Sequence, residues 1–328
     1  MKILVVSGSE VRDLLGYDEC ADVLRAALAA RARGEVHQPP RTVIQPGQPA
    51  GLMALMPAYW PGTDPAYGLK AICIFPGNPA IGLDAHQGVV VLSSTRTGEP
   101  LAILNASAIT EIRTAAASAV ATGLLARPDA TELAIIGTGV QARAHLLAIS
   151  GSRPLPAIRV AGRHPARAIE FASQLQPLVR TPVIACVSAR EAVAGAGIIV
   201  TATSATEPVL RRDWLAPGTH VNAVGACLPH ARELDTATMA DAVLFADSRE
   251  SVRSEAGDYL LALADGAIGP DHVRAEIGEL LTGEAAGRVN DQVITVFESL
   301  GIAVEDLAAA AHIYGKASLS GAGCRVDF

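Results

Sequence analysis

One short segment limits the possible folds of this chain more than any other. Residues 133–142 read LAIIGTGVQA, in which an apolar run enters a turn containing Gly137 and Gly139, with Ala142 three positions further on. In such a GxGxxA pattern the first glycine permits a tight turn, the second lets the backbone approach a pyrophosphate, and the alanine keeps strand and helix close. The pattern predicts a dinucleotide-binding turn, although a glycine turn in another α/β fold would look the same in isolation.

The segments around this turn alternate between apolar strands and helices. Strands are predicted at ELAIIG, AIRVAG, PVIACV, AGIIVTAT, THVNAVG and AVLFAD, and helices at VQARAHLLAIS, ARAIEFASQL and AREAVAGA. Strands that are apolar throughout and separated by helices indicate a parallel sheet buried on both faces. The sequence therefore predicts a Rossmann dinucleotide-binding domain over residues 115–305.

The remaining residues, 1–114 and 306–328, are predicted to form a second domain of α+β type. Strand-like runs dominate its first part: MKILVV, RTVIQ, GLMALMP, GLKAICIF, GVVVLSS and LAIL. Helices are predicted over residues 18–33 and 107–125, and the whole segment 293–317 is predicted to be helical and to return to this domain. The predicted fold class is α/β, with a Rossmann domain and an α+β domain for substrate binding.

Composition argues against several classes of protein. The 328 residues carry a net charge of −7 with no basic block, which argues against nucleic-acid binding. No apolar run approaches the length of a membrane-spanning helix. The five cysteines include no CxxC, and the eight histidines lack metal-ligand spacing, so neither disulfides nor a metal site is expected. A reducing cytoplasm fits this cysteine usage.

The end of the second Rossmann strand bears on the choice of dinucleotide. NAD sites place an acidic residue there to hold the ribose hydroxyls, but this strand ends with Gly162, Arg163 and His164, followed by Arg167. A guanidinium can pair with a 2′-phosphate through charge-assisted hydrogen bonds, which favours NADP(H) over NAD(H). The alternative is that these are ordinary solvated surface charges.

Three basic residues in the first domain stand among uncharged neighbours. Lys70 shares a strand face with Ile72 in GLKAICIF, Arg113 lies in an alanine-rich helix, and Arg41 follows two prolines. A lysine among apolar strand residues is either buried with a partner or functional. Taken singly, each is explained by an ordinary salt bridge. Together they indicate a pocket for a small anion such as a carboxylate.

These stretches together resemble the ornithine cyclodeaminase/μ-crystallin family over nearly the whole chain. The resemblance rests on MPAYW, GLKAICIFPGNP, HQGVVVL, TGEPLAIL, ITEIRTAAASA, IIGTGVQA, VNAVG, RELD and ITVFESLGIAVEDLAAA. It implies a Rossmann domain joined to a β-rich domain for substrate binding and dimerisation, hence a homodimer. It also implies NAD(P)-linked chemistry on small α-imino, α-keto or amino acids.

The resemblance also assigns roles to individual residues. Arg41, Lys70 and Arg113 would bind the substrate carboxylate and serve catalysis, with Lys70 at the reacting centre. Met56 and Cys227 would line the substrate site. The residues that would contact the dinucleotide are Thr114, Gly137, Gly139, Val140, Gln141, Gly162, Arg163, His164, Thr201, Ala202, Thr203 and Val224.

The sequence departs from the cyclodeaminase pattern at two positions. Cys227 stands where cyclodeaminases carry an aspartate that works on the substrate amine, and Ala54 stands where they carry a glutamate. Both departures favour an imine reductase or amino-acid dehydrogenase of a less basic substrate. A cyclodeaminase and an NADPH-dependent small-molecule binding protein remain the alternatives. His230, three residues after Cys227, does not by itself indicate a Cys-His nucleophile or a zinc site.

Overall fold

The structure, a computed structural model, describes residues 2–47, 51–62 and 66–328. The strands are β1 (Lys2–Val6), β2 (Thr42–Ile44), β3 (Leu52–Trp60), β4 (Ala66–Ile74), β5 (His86–Ser94), β6 (Pro100–Asn105), β7 (Glu132–Ile136), β8 (Ala157–Ala161), β9 (Val183–Ala185), β10 (Ile198–Thr201), β11 (His220–Ala223), β12 (Val243–Ala246), β13 (Val273–Glu276), β14 (Thr295–Glu298) and β15 (Cys324–Asp327). The helices are α1 (Gly8–Leu14), α2 (Tyr17–Ala32), α3 (Ala106–Leu125), α4 (Val140–Ser152), α5 (Pro165–Leu175), α6 (Ala189–Val193), α7 (Thr236–Asp241), α8 (Arg249–Glu255), α9 (Gly257–Ala264), α10 (Ile277–Thr282) and α11 (Ala303–Ser320).

Contacts divide the chain into two compact units. The first comprises Met1–Arg113 and Gly301–Phe328, and the second comprises Thr114–Leu300. The boundary that the sequence suggested after residue 305 falls inside α11, whereas the contacts place it just before that helix begins. None of the helices within the described part of the chain is both long and apolar enough to cross a membrane.

The first unit is built on a seven-stranded mixed sheet in the order β15-β1-β6-β5-β4-β3-β2. Side chains alternate between its two faces, so that Met56 and Lys70 pair across β3 and β4 on one face. That face is buried, and α11 packs against β3, β4 and β5. Gly68 packs closely on α11, since a Cβ there would lie 2.7 Å from Cδ1 of Leu307 and that side chain would have to shift.

The opposite face of this sheet carries a group of exposed apolar side chains. Strand register places Met53, Leu69 and Val89 on this face, away from Lys70. Among the described residues of β2 to β5, the exposed large apolar residues of this face are Ile44, Met53, Tyr67, Leu69 and Val89. We call these five residues the open face.

The second unit is a Rossmann sheet of eight parallel strands in the order β13-β12-β14-β11-β10-β7-β8-β9. Each strand that the alternating pattern predicted is present, and the chain crosses from β9 to β10 on the other side of β7. This reversal of strand order is the topological switch point at which such folds bind dinucleotides. The predicted fold class is confirmed.

The prediction of a continuous helix over 293–317 is wrong in its first part. Residues Thr295–Glu298 form β14, which lies between β11 and β12 at the centre of the Rossmann sheet. A short apolar run has the same hydrophobic pattern in a buried strand and in a buried helix. Gly301, with φ +75°, ends the strand segment, and α11 begins two residues later.

Candidate functional site

A buried group of charges joins β4, α3 and α11 within the first unit. The Lys70 side chain is 3% exposed, and its Nζ lies 2.7 Å from Oδ2 of Asp306. Arg113 approaches the other oxygen of the same carboxylate, with Nε 3.1 Å from Oδ1, and its Nη1 lies 2.9 Å from Oε2 of Glu305. One carboxylate thus bridges two cations that come from different elements.

Arg41 joins this group through the turn that precedes α11. Its Nη2 donates a hydrogen bond of 2.7 Å to the carbonyl oxygen of Gly301. The Arg113 guanidinium lies so close to Gly301 that a Cβ there would come within 2.1 Å of Nη1. The glycine is needed for two reasons, its left-handed φ of +75° and this close approach.

Burial and charge set the proton affinities in the group. Burial, with the charges of Arg113 and Arg41 acting in the same direction, lowers the pKa of Lys70 to about 8, although Asp306 opposes the shift. Burial alone would raise the pKa of Asp306, but Arg113 and Lys70 outweigh it and hold that pKa below its usual value.

The structure brings together the three cations that the sequence singled out. Met56, the predicted apolar lining residue, is 5% exposed and lies directly across from Lys70. Sequence reasoning missed Glu305 and Asp306, the carboxylates that organise the group. Two adjacent acids at the start of an otherwise apolar, alanine-rich helix were the available signal, because such acids are rarely buried without a cationic partner.

Predicted dinucleotide-binding residues of the second unit lie at the carboxyl edge of its sheet. Gly137 follows β7 and donates its N–H to the Ala161 carbonyl of β8 at 2.8 Å. Ala202 follows β10 and donates to the Ile136 carbonyl of β7 at 2.9 Å, and Val224 follows β11 and donates to the Thr201 carbonyl at 3.0 Å. These hydrogen bonds hold the loops after β7, β10 and β11 side by side. Thr114 is buried on α3.

The turn after β7 fits a dinucleotide pyrophosphate. Gly137 has φ +130°, and a Cβ there would lie 2.3 Å from the Ala202 carbonyl oxygen. Gly139 is the N-cap of the 13-residue helix α4 and opens onto free space. Val140 and Gln141 form the first turn of α4, whose N-terminal amides and dipole favour an anion.

The loop after β8 contains the predicted 2′-phosphate residues. Gly162 lies against Thr138 of the glycine turn, so that a Cβ at Gly162 would lie 3.0 Å from the Thr138 Cγ2. Arg163 and His164 are exposed, and His164 is the N-cap of α5. Exposure leaves the guanidinium accessible to a phosphate, but it is equally what a solvated surface charge would show.

Cys227 lies in the loop after β11, as the sequence predicted. Its Sγ donates to the Val224 carbonyl oxygen at 3.3 Å and is 3.9 Å from the Ser299 carbonyl oxygen. Its side chain packs partly against an apolar core of the second unit, whereas His230 is exposed. The thiol therefore lies against two backbone carbonyl oxygens of the second unit.

A second group of buried acids, which the sequence reasoning did not single out, lies under the same sheet edge. It consists of Glu233, Asp247, Asp258 and Glu298, each no more than 2% exposed. Burial raises the pKa of Glu233 and of Asp258. Burial, together with the negative charges of Asp258 and Glu233, raises the pKa of Glu298 well above its usual value. Among the described residues, no cluster of His, Cys, Asp or Glu has the arrangement of a metal site.

The family of the chain is decided by its similarity to known proteins. The model of the ornithine cyclodeaminase/mu-crystallin family matches residues 1–321. The chain belongs to this family. Ketimine reductase mu-crystallin of Mus musculus is 41% identical over 313 residues, which cover 94% of this chain and 96% of that protein.

Solved structures agree with this assignment. The Δ1-pyrroline-2-carboxylate reductase of Thermococcus litoralis, in complex with NADH and L-proline, superimposes with a TM-score of 0.96 at 35% identity, covering 99% of this chain and 100% of that one. An archaeal alanine dehydrogenase dimer with bound NAD gives a TM-score of 0.93 at 32% identity, with both chains fully covered. The protein is an NAD(P)-dependent oxidoreductase, and the predictions of family, fold class and enzyme class are confirmed.

Asp306 is expected to be the main electrostatic support of the first unit. In a Trp214→Phe background, which leaves Trp60 as the only tryptophan, Asp306→Asn should lower the free energy of unfolding reported by Trp60 fluorescence in urea. We expect a loss of about 3–5 kcal/mol, because buried Lys70 loses its counter-charge and Arg113 keeps only Glu305. The control is Glu19→Gln, which breaks a half-exposed pair with Lys316 and should cost less than about 1 kcal/mol. Equal losses in the two variants would contradict this role.

Proposed function

We propose that the protein reduces the C=N bond of a small α-imino acid or cyclic ketimine and catalyses the reverse oxidation of the amino acid. The observation that carries this proposal is the grouping of buried Lys70 and Arg113 with half-buried Arg41 around Asp306 and Gly301. A small carboxylate is the natural counter-ion for such a group, and two guanidinium groups suit it geometrically. The names of the relatives, a ketimine reductase and a pyrroline-2-carboxylate reductase, support the same chemistry.

Each residue of the group has a distinct proposed role. Arg41 and Arg113 hold the carboxylate, and Lys70 orients the imine nitrogen or supplies its proton. Met56 lines the site as an apolar neighbour of Lys70. The bound nicotinamide supplies or accepts the hydride, so the residues of the chain contribute position and electrostatics. The first unit is accordingly the proposed substrate-binding and dimerisation domain, and the second the proposed dinucleotide-binding domain.

The two departures from the cyclodeaminase pattern support a substrate without a side-chain amine. Ala54 is 3% exposed and carries no charge, and it lies on the same sheet face as Lys70. The Cys227 thiol donates to a backbone carbonyl and offers no carboxylate to an amine. Both positions therefore lack the negative charge that a diamino acid would require.

The decisive experiment is a substrate panel read at 340 nm. The purified protein should oxidise NADPH or NADH with Δ1-pyrroline-2-carboxylate or Δ1-piperideine-2-carboxylate, and Lys70→Met should lower kcat/KM by at least about a hundredfold, since such a buried charge contributes several kcal/mol. Ammonia release from ornithine or lysine without net absorbance change would favour the cyclodeaminase alternative. Cofactor-dependent ligand binding without any turnover would favour a binding protein.

The low pKa of Lys70 predicts a pH limit for substrate binding. The ammonium form is lost as pH rises through about 8, so carboxylate affinity should fall above that pH. The probe is cyclopentanecarboxylate, a competitive inhibitor whose own charge is constant from pH 6 to 10. Its Ki should rise steadily above pH 8 in the natural protein and stay level in Lys70→Arg, because a guanidinium remains charged. A flat Ki in the natural protein would show that the Lys70 charge does not contribute.

We further propose that NADP(H) is preferred over NAD(H). Support comes from exposed Arg163, next to Gly162 at the end of β8, where NAD enzymes place a carboxylate. Arg163→Ala should raise the KM for NADPH about tenfold or more, because the 2′-phosphate loses one charge-assisted hydrogen bond. The KM for NADH should stay within about twofold. Arg180→Ala is the matched control. Arg180 lies just before β9, at the amino end of that strand, so its removal should change neither the KM for NADPH nor the KM for NADH. Similar KM values for both cofactors in the natural protein would argue against the preference.

We also propose a homodimer that buries the open face. Five apolar side chains on one sheet face are a typical subunit interface, and the archaeal alanine dehydrogenase relative is a dimer. Leu69→Glu should shift the mass measured by light scattering towards that of a single chain. Leu319→Glu, at a 92% exposed position on α11, should not change it. None of the five cysteines forms a disulfide, which supports a cytoplasmic location that cell fractionation can test.

A further inference from the structure

We propose that Glu233 is a positioning residue that shapes the nicotinamide half of the dinucleotide site. Glu233 lies in the RELD segment. It belongs neither to the glycine turn after β7 nor to a strand end. Its carboxylate nevertheless bonds two of the loops at the carboxyl edge of the Rossmann sheet. The inference uses only the nicotinamide cofactor of the family and does not depend on which imine is reduced.

The carboxylate of Glu233 bridges the loops that follow β10 and β11. Oε1 accepts hydrogen bonds from the backbone N–H and the hydroxyl of Thr203, both at 2.6 Å. Oε2 accepts the backbone N–H of Gly225 at 2.7 Å. Two backbone amides from different loops therefore point at one buried side chain, one on each oxygen. Such amides would otherwise be left without a partner in the interior, which is costly.

The two loops that Glu233 bridges are closely packed against each other and against its carboxylate. A Cβ on Gly225 would lie 2.1 Å from the Thr203 carbonyl oxygen and 2.7 Å from Oε1 of Glu233. The Thr203 loop in turn touches the glycine turn, because a Cβ on Gly137 would lie 2.3 Å from the Ala202 carbonyl oxygen. A shift of Glu233 would thus move the loops after β10 and β11 together.

The backbone of Glu233 is itself fixed on two sides. Its N–H donates to Oδ1 of Asp258 at 2.8 Å, and that oxygen also accepts the N–H of Leu234. Its carbonyl oxygen accepts the N–H groups of Val209 and Leu210 at 2.8 and 2.9 Å. A side chain anchored in this way has little freedom, so the position of its carboxylate determines where the loops lie.

Strand order assigns these loops to the nicotinamide half of the site. A Rossmann sheet consists of two mononucleotide-binding halves that meet at the switch point. Here β7, β8 and β9 form the half with the glycine turn and the ribose-binding strand end, which takes the adenosine diphosphate portion. The loops bridged by Glu233 follow β10 and β11 in the other half, so they take the nicotinamide mononucleotide portion.

The test is Glu233→Gln, which keeps the size of the side chain. In either orientation its amide NH₂ faces one of the two backbone N–H groups, so one loop must move. Dissociation constants for NADH and NADPH, from cofactor fluorescence, should rise about tenfold or more, the effect of losing one such bond. Those for ADP and for ADP carrying a 2′-phosphate, both of which lack the second ribose, should stay within about twofold when measured by calorimetry.

The matched control is Glu276→Gln. Oε1 of Glu276 also accepts a backbone N–H, that of Arg249 at 2.8 Å, but at the end of the edge strand β13. This variant should leave all four dissociation constants within about twofold. Amide hydrogen exchange of segments 201–206 and 222–227 should accelerate in Glu233→Gln and not in Glu276→Gln.

Three outcomes would overturn the inference. They are unchanged NADH and NADPH binding in Glu233→Gln, an equal loss of ADP binding, and an equal effect in Glu276→Gln. If Glu233→Gln does not accumulate as folded protein, Glu233→Asp replaces it, because the shorter carboxylate keeps the charge but cannot span both loops. A natural protein that binds neither NADH nor NADPH would refute the cofactor assignment itself, which separates that failure from failure of the Glu233 role.

Discussion

The first unit depends on one shared carboxylate. Asp306 places a negative charge between Lys70 and Arg113, two cations that are each less than 5% exposed. Without it, two positive charges would face each other in a medium that screens them poorly. With it, the ammonium and the guanidinium keep fixed positions and their charge, which a carboxylate-binding site requires.

Buried acids have different partners in the two units, side-chain cations in the first and backbone N–H groups in the second. In the first unit, Glu305 and Asp306 form ion pairs with the buried cations Lys70 and Arg113. In the second, the Glu233 carboxylate receives backbone N–H groups from two loops. The same chemical group thus positions a charge in one unit and positions main chain in the other.

Sequence reasoning worked where the determining signals are local. The strand, glycine turn and helix around Gly137 are encoded within ten residues, and the Rossmann alternation follows from repeated short patterns. The four residues of β14 were predicted wrongly because a short apolar run carries no distinctive period. The pairing of Arg113 with Asp306 was beyond such reasoning, since the two residues are 193 positions apart. The cations could be selected as unusual, but their partners could be found only once α11 was seen to pack against β4.

The long separation of Arg113 and Asp306 along the chain also affects the order in which the two units can form during synthesis. The second unit is one continuous segment, so every residue it needs is available before Gly301 is added. The first unit draws on both ends of the chain, since β1 pairs with β15 and Lys70 with Asp306. During synthesis, therefore, the Rossmann segment is complete while the cations of the first unit still await Asp306, and that unit can form only after α11 has been added.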